Sequence, residues 1–334
     1  MKTNLFLLGM AVAAFSSCTN EEVTDVAQNR AIKFNQFVNN NTRTVVEVNK
    51  DNLQNYYVFG ESGNVEGTYG IKNFNNELQT TPYYWIADKF YSFGAYADGN
   101  SGKIEGATFN ANDGKLTFTN YTPDDAKDLV AAVTKMQCNS DASQQEAVDL
   151  TFKHMLSQVK FTFNTTDGEE YQIEISKLKI NAVKTSTGNI ALSESNKVTI
   201  NWENTLATKE DYDMYPVISD VANENKTASS ESKLVIPQDR TDQLKVTFTA
   251  SITGAGLNEN ADFEATLAVD ENIAGISEAN TWMPGYCYNY TATINGDNIK
   301  PDLGQQKIKF TVSVDLWKDA TSDQPVNPTQ PVVP

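Results

Sequence analysis

The sequence has little of the side-chain chemistry on which enzymes most often depend. Its 334 residues include one histidine and three cysteines, and histidine is the usual acid–base residue near neutral pH. G-x-S-x-G, H-E-x-x-H and C-x-x-C motifs are all missing, which removes the common hydrolase, zinc-protease and redox signatures. The single histidine, His154, falls within an alternating strand pattern, where a packed side chain is expected. The sequence therefore predicts a protein that is not an enzyme and uses no cofactor or metal.

Positive charge is also scarce. The chain has 26 Lys and Arg residues against 43 Asp and Glu residues, which gives a formal net charge of −17. Phosphate backbones and anionic lipid surfaces are both bound by clustered basic residues. The charge balance therefore argues against a nucleic-acid partner and against a basic membrane-binding face. Acidic pairs such as Asp124-Asp125 and Glu169-Glu170 are expected in solvated turns.

Long apolar runs are missing except at the N-terminus. Residues 5–15 form an apolar run of signal-peptide length, too short to span a bilayer as a helix. Ser16-Ser17-Cys18 follows and resembles a bacterial lipobox, although Phe15 occupies a position where Leu is common. We therefore predict a lipoprotein signal peptide at 1–17, lipidation by palmitate-type chains at Cys18 and an acidic spacer at 18–30. An ordinary secretory signal is the alternative. A lipid on Cys18 would tether the protein to the outer membrane, exposed at the surface, without spanning it.

Alternation of apolar and polar residues dominates the rest of the chain and predicts an all-β fold of half-buried strands. Turns rich in Gly, Asn and Asp, residues that tolerate positive φ, separate the strands. Helical patterning is scarce, since only residues 123–135 fit a short helix and the same residues fit a buried strand. The alternation is clearest in four stretches: 244–252, 263–269, 286–294 and 308–316.

Two changes of phase indicate how the strands are arranged. Apolar residues fall on even numbers up to Leu156 and on odd numbers from Val159, so a bend is predicted at Ser157-Gln158. A similar change lies between Ile175 and Leu178. Such bends suit strands that pass between the sheets of a sandwich. We predict two β-sandwich domains, at 31–160 and 161–317, and a Pro-rich tail at 318–334.

Cysteine and tryptophan residues allow further expectations. Cys138 and Cys287 could pair in an oxidising compartment or remain as two thiols. Trp282 precedes a Pro-Gly turn and Trp317 closes a strand, where large aromatic residues usually cap a core. A role in stacking against sugars is therefore the less favoured interpretation of the tryptophans.

Several short segments together resemble the fimbrillin family, the subunits of type V pili on Gram-negative anaerobes. The resemblance covers nearly the whole chain, and it implies two transthyretin-like β-sandwich domains in tandem. It also implies a lipoprotein precursor, an adhesive or structural role, and no enzymatic activity. The segments are Cys18, residues 31–34 followed by Thr42-Arg43-Thr44, and then residues 152–161, 234–238, 282–290 and 314–317.

The resemblance further implies an assembly mechanism. A trypsin-like protease cuts after an Arg that follows the first strand, the strand leaves, and a strand of another pilin subunit replaces it in a homo- or hetero-polymer, the fimbrium. This donor-strand exchange corresponds to β-augmentation. Here the first strand would be residues 31–38, with Ile32, Phe34 and Val38 on one face. Arg43 is the expected cleavage site, with Arg30 as the alternative, although a cut at Arg30 would keep the strand.

The kind of subunit, the role of the last strand, the alternative function and the ligand stay open at this point. The tail from Asp319 onward has few apolar residues among its prolines, and prolines cannot donate to a ladder, so shaft, tip and anchor subunits are not distinguished. Residues 308–316 alternate well but could belong to the protein's own sandwich. The alternative function is a surface glycan-binding lipoprotein of a polysaccharide-uptake system. The host or bacterial ligand of an adhesive subunit is not identified by the sequence.

Overall fold

The computed structural model describes ten stretches of the chain and residue 298, and within them the protein is almost entirely β-structure. The predicted all-β fold class is therefore confirmed. A short 3₁₀ turn, Ala142–Gln144, begins where the Asp141 side chain accepts a hydrogen bond from the Ser143 N–H. The described stretches are 30–38, 53–99, 102–165, 172–203, 208–214, 228–239, 244–254, 256–267, 281–295 and 310–316.

The described residues contain nineteen strands. Their bounds are β1 Phe34–Val38, β2 Tyr57–Gly63, β3 Ile71–Leu78, β4 Phe90–Asp98, β5 Ala107–Asn110, β6 Lys115–Tyr121, β7 Leu129–Gln137, β8 Val148–His154, β9 Ser157–Asn164, β10 Gln172–Val183, β11 Ser186–Leu192, β12 Val198–Trp202, β13 Lys209–Asp213, β14 Ala228–Ser229, β15 Lys233–Val235, β16 Lys245–Gly254, β17 Leu257–Thr266, β18 Tyr286–Thr293 and β19 Phe310–Leu316.

These strands form four sheets. Sheet I has the order β1-β8-β7-β4-β2-β3, and sheet II has the order β12-β11-β6-β5. Sheet III has the order β14-β9-β18-β19, with β15 also paired to β9, and sheet IV has the order β13-β10-β16-β17. Most neighbours are antiparallel, whereas β1 with β8 and β9 with β18 are parallel.

The centre of sheet I is buried on both faces. Along β7, Val130 and Ala132 join one apolar cluster, while Leu129, Ala131 and Val133 join the cluster that packs against sheet II. A strand with core on both sides needs a continuous apolar run instead of alternation. This explains why the sequence of 123–135 fitted a helix and a strand equally well, and the structure makes Leu129–Gln137 a strand.

Both predicted phase changes are irregularities in the structure. β8 ends at His154 in sheet I, and β9 begins at Ser157 in sheet III, so the chain changes sheets there. The second change is a bulge inside β10, where the register with β16 shifts between Ser176 and Lys179 and Lys177 has a φ of 52°. At this second position the strand stays within sheet IV.

The cluster between sheets III and IV is a third apolar core. It includes Phe161 and Phe163 of β9, Phe248 of β16 and Phe310 of β19. β19 pairs in register with β18 from Tyr286↔Leu316 to Ala292↔Phe310. The last alternating stretch therefore belongs to the protein's own sheet III.

The hairpin of β11 and β12 joins a sheet whose other strands come from much earlier in the chain. β11 and β12, at 186–202, pair through β11 with β6 and so complete sheet II, which also contains residues 107–121. The hairpin thus follows the predicted boundary at residue 160 in sequence but pairs with a strand that precedes it. The division into domains at 31–160 and 161–317 stays a prediction. Cys138 and Cys287 do not form a disulfide with each other. Among the described residues, no helix has the length and hydropathy of a membrane span.

Candidate assembly site

The first described segment, residues 30–38, lies at one edge of sheet I. β1 pairs in parallel with β8, from Phe34↔Val148 to Val38↔Phe152, and it is the terminal strand in the order of sheet I. The Val148 N–H donates to the Lys33 carbonyl at 2.8 Å. Among the described strands, β1 therefore has a partner on one side only.

The inward face of this segment fills the apolar core of sheet I. Ile32 and Val38 are 5% and 7% exposed, and Phe34 packs against the same cluster. The Phe34 ring lies edge-on to the rings of Phe74 and Phe93, with centroids 5.4 Å and 5.6 Å away. These three side chains lie on one face, as the alternation predicted. Gln36 shares that face, because it lies opposite Leu150, which belongs to the same apolar core.

The outward face of β1 is polar or exposed. Phe37 is 51% exposed. The Asn35 side-chain amide donates to the Asp149 carboxylate at 3.0 Å, directly across the strand pair. β1 therefore carries a core-facing Phe and a solvent-facing Phe three residues apart, which allows the two faces to be tested separately.

A second attachment holds the start of the segment. Ala31 forms an antiparallel bridge with Tyr84. The Ile32 N–H donates to the Tyr83 carbonyl, and the Trp85 N–H donates to the Arg30 carbonyl, both at 2.8 Å. The Arg30 guanidinium also donates to the Trp85 carbonyl at 3.0 Å. Arg30 is thus bonded through both its backbone and its side chain.

The core beneath β1 is rich in aromatic rings, and sequence analysis singled out only Phe152 among them. Tyr56, Phe74, Phe93 and Phe152 come from separate parts of sheet I or from the residue just before β2. The Tyr56 ring lies 5.2 Å from that of Phe152. Alternation in β4 and β8 could have placed Phe93 and Phe152 on a buried face, but no local signal shows that all four meet under β1.

The remaining predicted sites fall elsewhere. Cys18 and Arg43 lie outside the described residues. His154 is 5% exposed, and its Nδ1 lies 2.9 Å from a carboxylate oxygen of Asp128, which is a buried pair of the packed kind expected from the sequence. Trp85 and Trp282 are both buried, and the Trp282 indole donates to the Tyr290 hydroxyl at 2.8 Å.

Comparison with known proteins gives a family and a set of distant structures. None of the curated proteins matches the chain. A candidate cell adhesion protein from Bacteroides uniformis is 14% identical with a TM-score of 0.47, over 86% of this chain and 98% of that one. A candidate cell adhesion protein from Bacteroides ovatus is 12% identical with a TM-score of 0.45, over 87% and 99%. A candidate polysaccharide binding protein from Bacteroides thetaiotaomicron is 12% identical with a TM-score of 0.37, over 80% and 91%.

A match to a protein family also covers most of the chain. The sequence profile described as fimbrillin-like covers residues 24–317, from just after the predicted lipid attachment to the end of the last alternating stretch. This confirms the resemblance found in the sequence. The chain belongs to the fimbrillin-like family.

Proposed function

We propose that the protein is a structural and adhesive subunit of a surface fimbrium, and that it assembles with other subunits by exchange of β1. Membership of the fimbrillin-like family makes it a surface protein of a non-enzymatic, structural kind. The observation that carries the finer proposal is the position of β1, an edge strand whose inward side chains complete an aromatic core.

The energetics of β1 fit a strand that is stable until it is cut. Burying Ile32, Phe34 and Val38 stabilises the precursor by on the order of 1.5–3 kcal/mol each. The ladder to β8 adds about 0.5–1.5 kcal/mol for each hydrogen bond. After cleavage these same contacts become intermolecular, so β1 can dissociate and a strand with a fuller apolar face can replace it. Exposed β8 would then offer ladder hydrogen bonds to the incoming strand.

The expected cleavage site is Arg43, as the sequence predicted. Proteases need an accessible chain that they can bind in an extended form. Arg30 is a poor substrate by this criterion, because its carbonyl and its guanidinium are both hydrogen-bonded to Trp85. Cleavage after Arg30 would also leave β1 in place. We further propose that lipid on Cys18 tethers the precursor to the outer membrane before assembly.

The proposal is tested by protease-triggered polymerisation of purified protein. Trypsin treatment of the wild type should remove the segment that contains β1 and produce a ladder of polymers on a gel. Arg43→Ala should block both the cut and the ladder, and its melting temperature should stay nearly unchanged. Arg30→Ala is the matched control and should still be cut at Arg43 and polymerise. If Arg43→Ala assembles at the normal rate, cleavage at Arg43 is not the trigger.

A further inference from the structure

A polar groove lies away from β1, where the ends of sheets I and II meet sheet IV. Two adjoining hollows of about 540 Å³ and 750 Å³ share Asp98, Thr122 and Lys127 in their walls. Asp98 is the last residue of β4, and Thr122 directly follows β6. Tyr212 of β13 lines the first hollow only. Ligand sites are common where separate layers of a protein meet in this way.

Asp98 is the buried charge of this groove. It is 8% exposed and yet lines both hollows. Its Oδ1 accepts a hydrogen bond from the buried Tyr121 hydroxyl at 2.8 Å. Among the described residues, its second carboxylate oxygen has no hydrogen-bond donor, and no Lys, Arg or His nitrogen lies within ion-pair distance. A buried carboxylate is costly without a counter-ion.

The nearby lysines are occupied by other partners. Lys127 pairs with Asp124 at 3.4 Å, and Lys233 pairs with Asp125. The ammonium of Lys184 lies over the Tyr212 ring, 5.5 Å from its centroid. Lys127 and Lys233 are therefore partly neutralised by their own acids, and no lysine of the groove lies within ion-pair distance of Asp98, although the charge of Lys127 still acts on its carboxylate. Burial raises the pKa of the Asp98 carboxyl to about 6, so it is still mostly ionised at neutral pH.

We propose that the Asp98 groove binds a Lys or Arg side chain of a cationic partner polypeptide, whose charge pairs with the open carboxylate oxygen of Asp98. A long aliphatic stem with a terminal cation can reach a largely buried carboxylate in the wall of a groove. The net charge of −17 attracts basic partners over a distance and adds to the encounter rate. A metal ion would need several such donors together, and the described residues contain no cluster of three potential metal ligands.

The test uses the uncut full-length chain and short peptides of defined charge. The probes are acetyl-Gly-Gly-Lys-Gly-Gly-amide, its Arg counterpart and the same peptide with an acetylated lysine, each titrated to millimolar concentration and followed by NMR. The two cationic peptides should shift the signals of residues around the groove, and the acetylated one should not. Asp98→Asn keeps an acceptor for Tyr121 and should weaken binding at least about tenfold.

The matched control is Glu264→Gln, which removes an acid that pairs with Lys245 outside the groove. It should change the dissociation constant less than about twofold, since the pair is exposed. Equal binding by wild type and Asp98→Asn, equal binding of the acetylated peptide, or no binding of either cationic peptide would each overturn the proposal. A chitosan trisaccharide is titrated in parallel. Asp98-dependent binding of that sugar without binding of the peptides would also overturn it, in favour of an amine-bearing glycan.

Discussion

Individual side chains divide β1 into a face that stabilises the protein and a face that does not. Phe34 contacts Tyr56, Phe74 and Phe93 by its ring, whereas Phe37 is 51% exposed. Phe34→Ala should lower the free energy of unfolding by about 2–4 kcal/mol, because it leaves a gap in the aromatic core. Phe37→Ala, the same change on the opposite face, should stay within about 0.5 kcal/mol. Chemical denaturation of both variants measures the difference, and equal losses would mean that β1 does not pack as described.

Asp98 gives a residue-scale prediction about pH. Its pKa is raised from 3.8 to about 6, mainly by burial; the hydrogen bond from Tyr121 and the charge of Lys127 oppose this rise, and the nearby acids Asp128 and Asp124 contribute to it. The folded protein therefore binds this proton more tightly than the unfolded chain, so ionised Asp98 costs stability at neutral pH. That cost should disappear as the pH falls from about 7 to 4.

Asp98→Asn should accordingly raise the free energy of unfolding by about 1–3 kcal/mol at pH 7.5, since one pKa unit corresponds to about 1.4 kcal/mol. The gain should shrink toward zero near pH 4. Urea unfolding of the wild type and the variant across this pH range measures it. A gain that is the same at every pH, or a loss of stability at neutral pH, would show that Asp98 is adequately solvated or paired.

Among the elements, β1 could be predicted well from the sequence because its features are local. The alternation of Ile32, Phe34 and Val38 fixes which face is buried, and the break in phase before Val159 marks the change of sheet. The hairpin of β11 and β12 could not be predicted in this way. Its place in sheet II depends on non-local partners, such as Ile190 beside Leu116 and a Gly188 whose missing Cβ leaves room for the Trp202 ring.

The inward face of β1 and the Asp98 groove also differ in how far the sequence alone reveals them. The inward residues of β1 are consecutive in one strand, so a pattern reveals them. The Asp98 groove is built from the ends of β4 and β6, the loop before β7 and an edge of β13, which no spacing in the sequence connects. A charged residue in such a groove resembles any other acid in a sequence of net charge −17 until the burial of its carboxyl is known.

Gln36 gives a prediction for β1 as an element. It lies on the inward face, beside Leu150, and interrupts the apolar row there. Gln36→Leu should stabilise the uncut protein by about 1 kcal/mol through additional apolar burial, and it should slow polymer formation after cleavage because β1 leaves less readily. Asn35→Leu, on the outward face, should do neither. Faster assembly of Gln36→Leu would contradict release of β1 as a step in the process.

For the whole molecule, the account requires attachment to the membrane before assembly. Growing cells on a fatty acid that carries a clickable group should label the wild-type protein and leave Cys18→Ala unlabelled, because acylation needs that thiol. Cys287→Ala is the control and should be labelled as the wild type is. Equal labelling of Cys18→Ala would show that the lipid is attached elsewhere.

The central claim is that the whole subunit changes from a closed monomer to a polymer only when β1 leaves sheet I. Asn35 and Asp149 face each other across β1 and β8 on the exposed side, with 3.0 Å between their side-chain atoms. The double variant Asn35→Cys with Asp149→Cys should therefore form a disulfide that ties β1 to the sheet. The single variant Asn35→Cys is the control.

The most direct measurement is polymer formation by the double variant after trypsin cleavage, with and without a reducing agent. Under oxidising conditions the cut protein should remain monomeric with β1 still attached. Addition of the reductant should release the strand and restore the polymer ladder at the rate of the single variant. Polymerisation of the oxidised, cleaved double variant at that same rate would contradict the account, because the subunit would then assemble with its first strand in place.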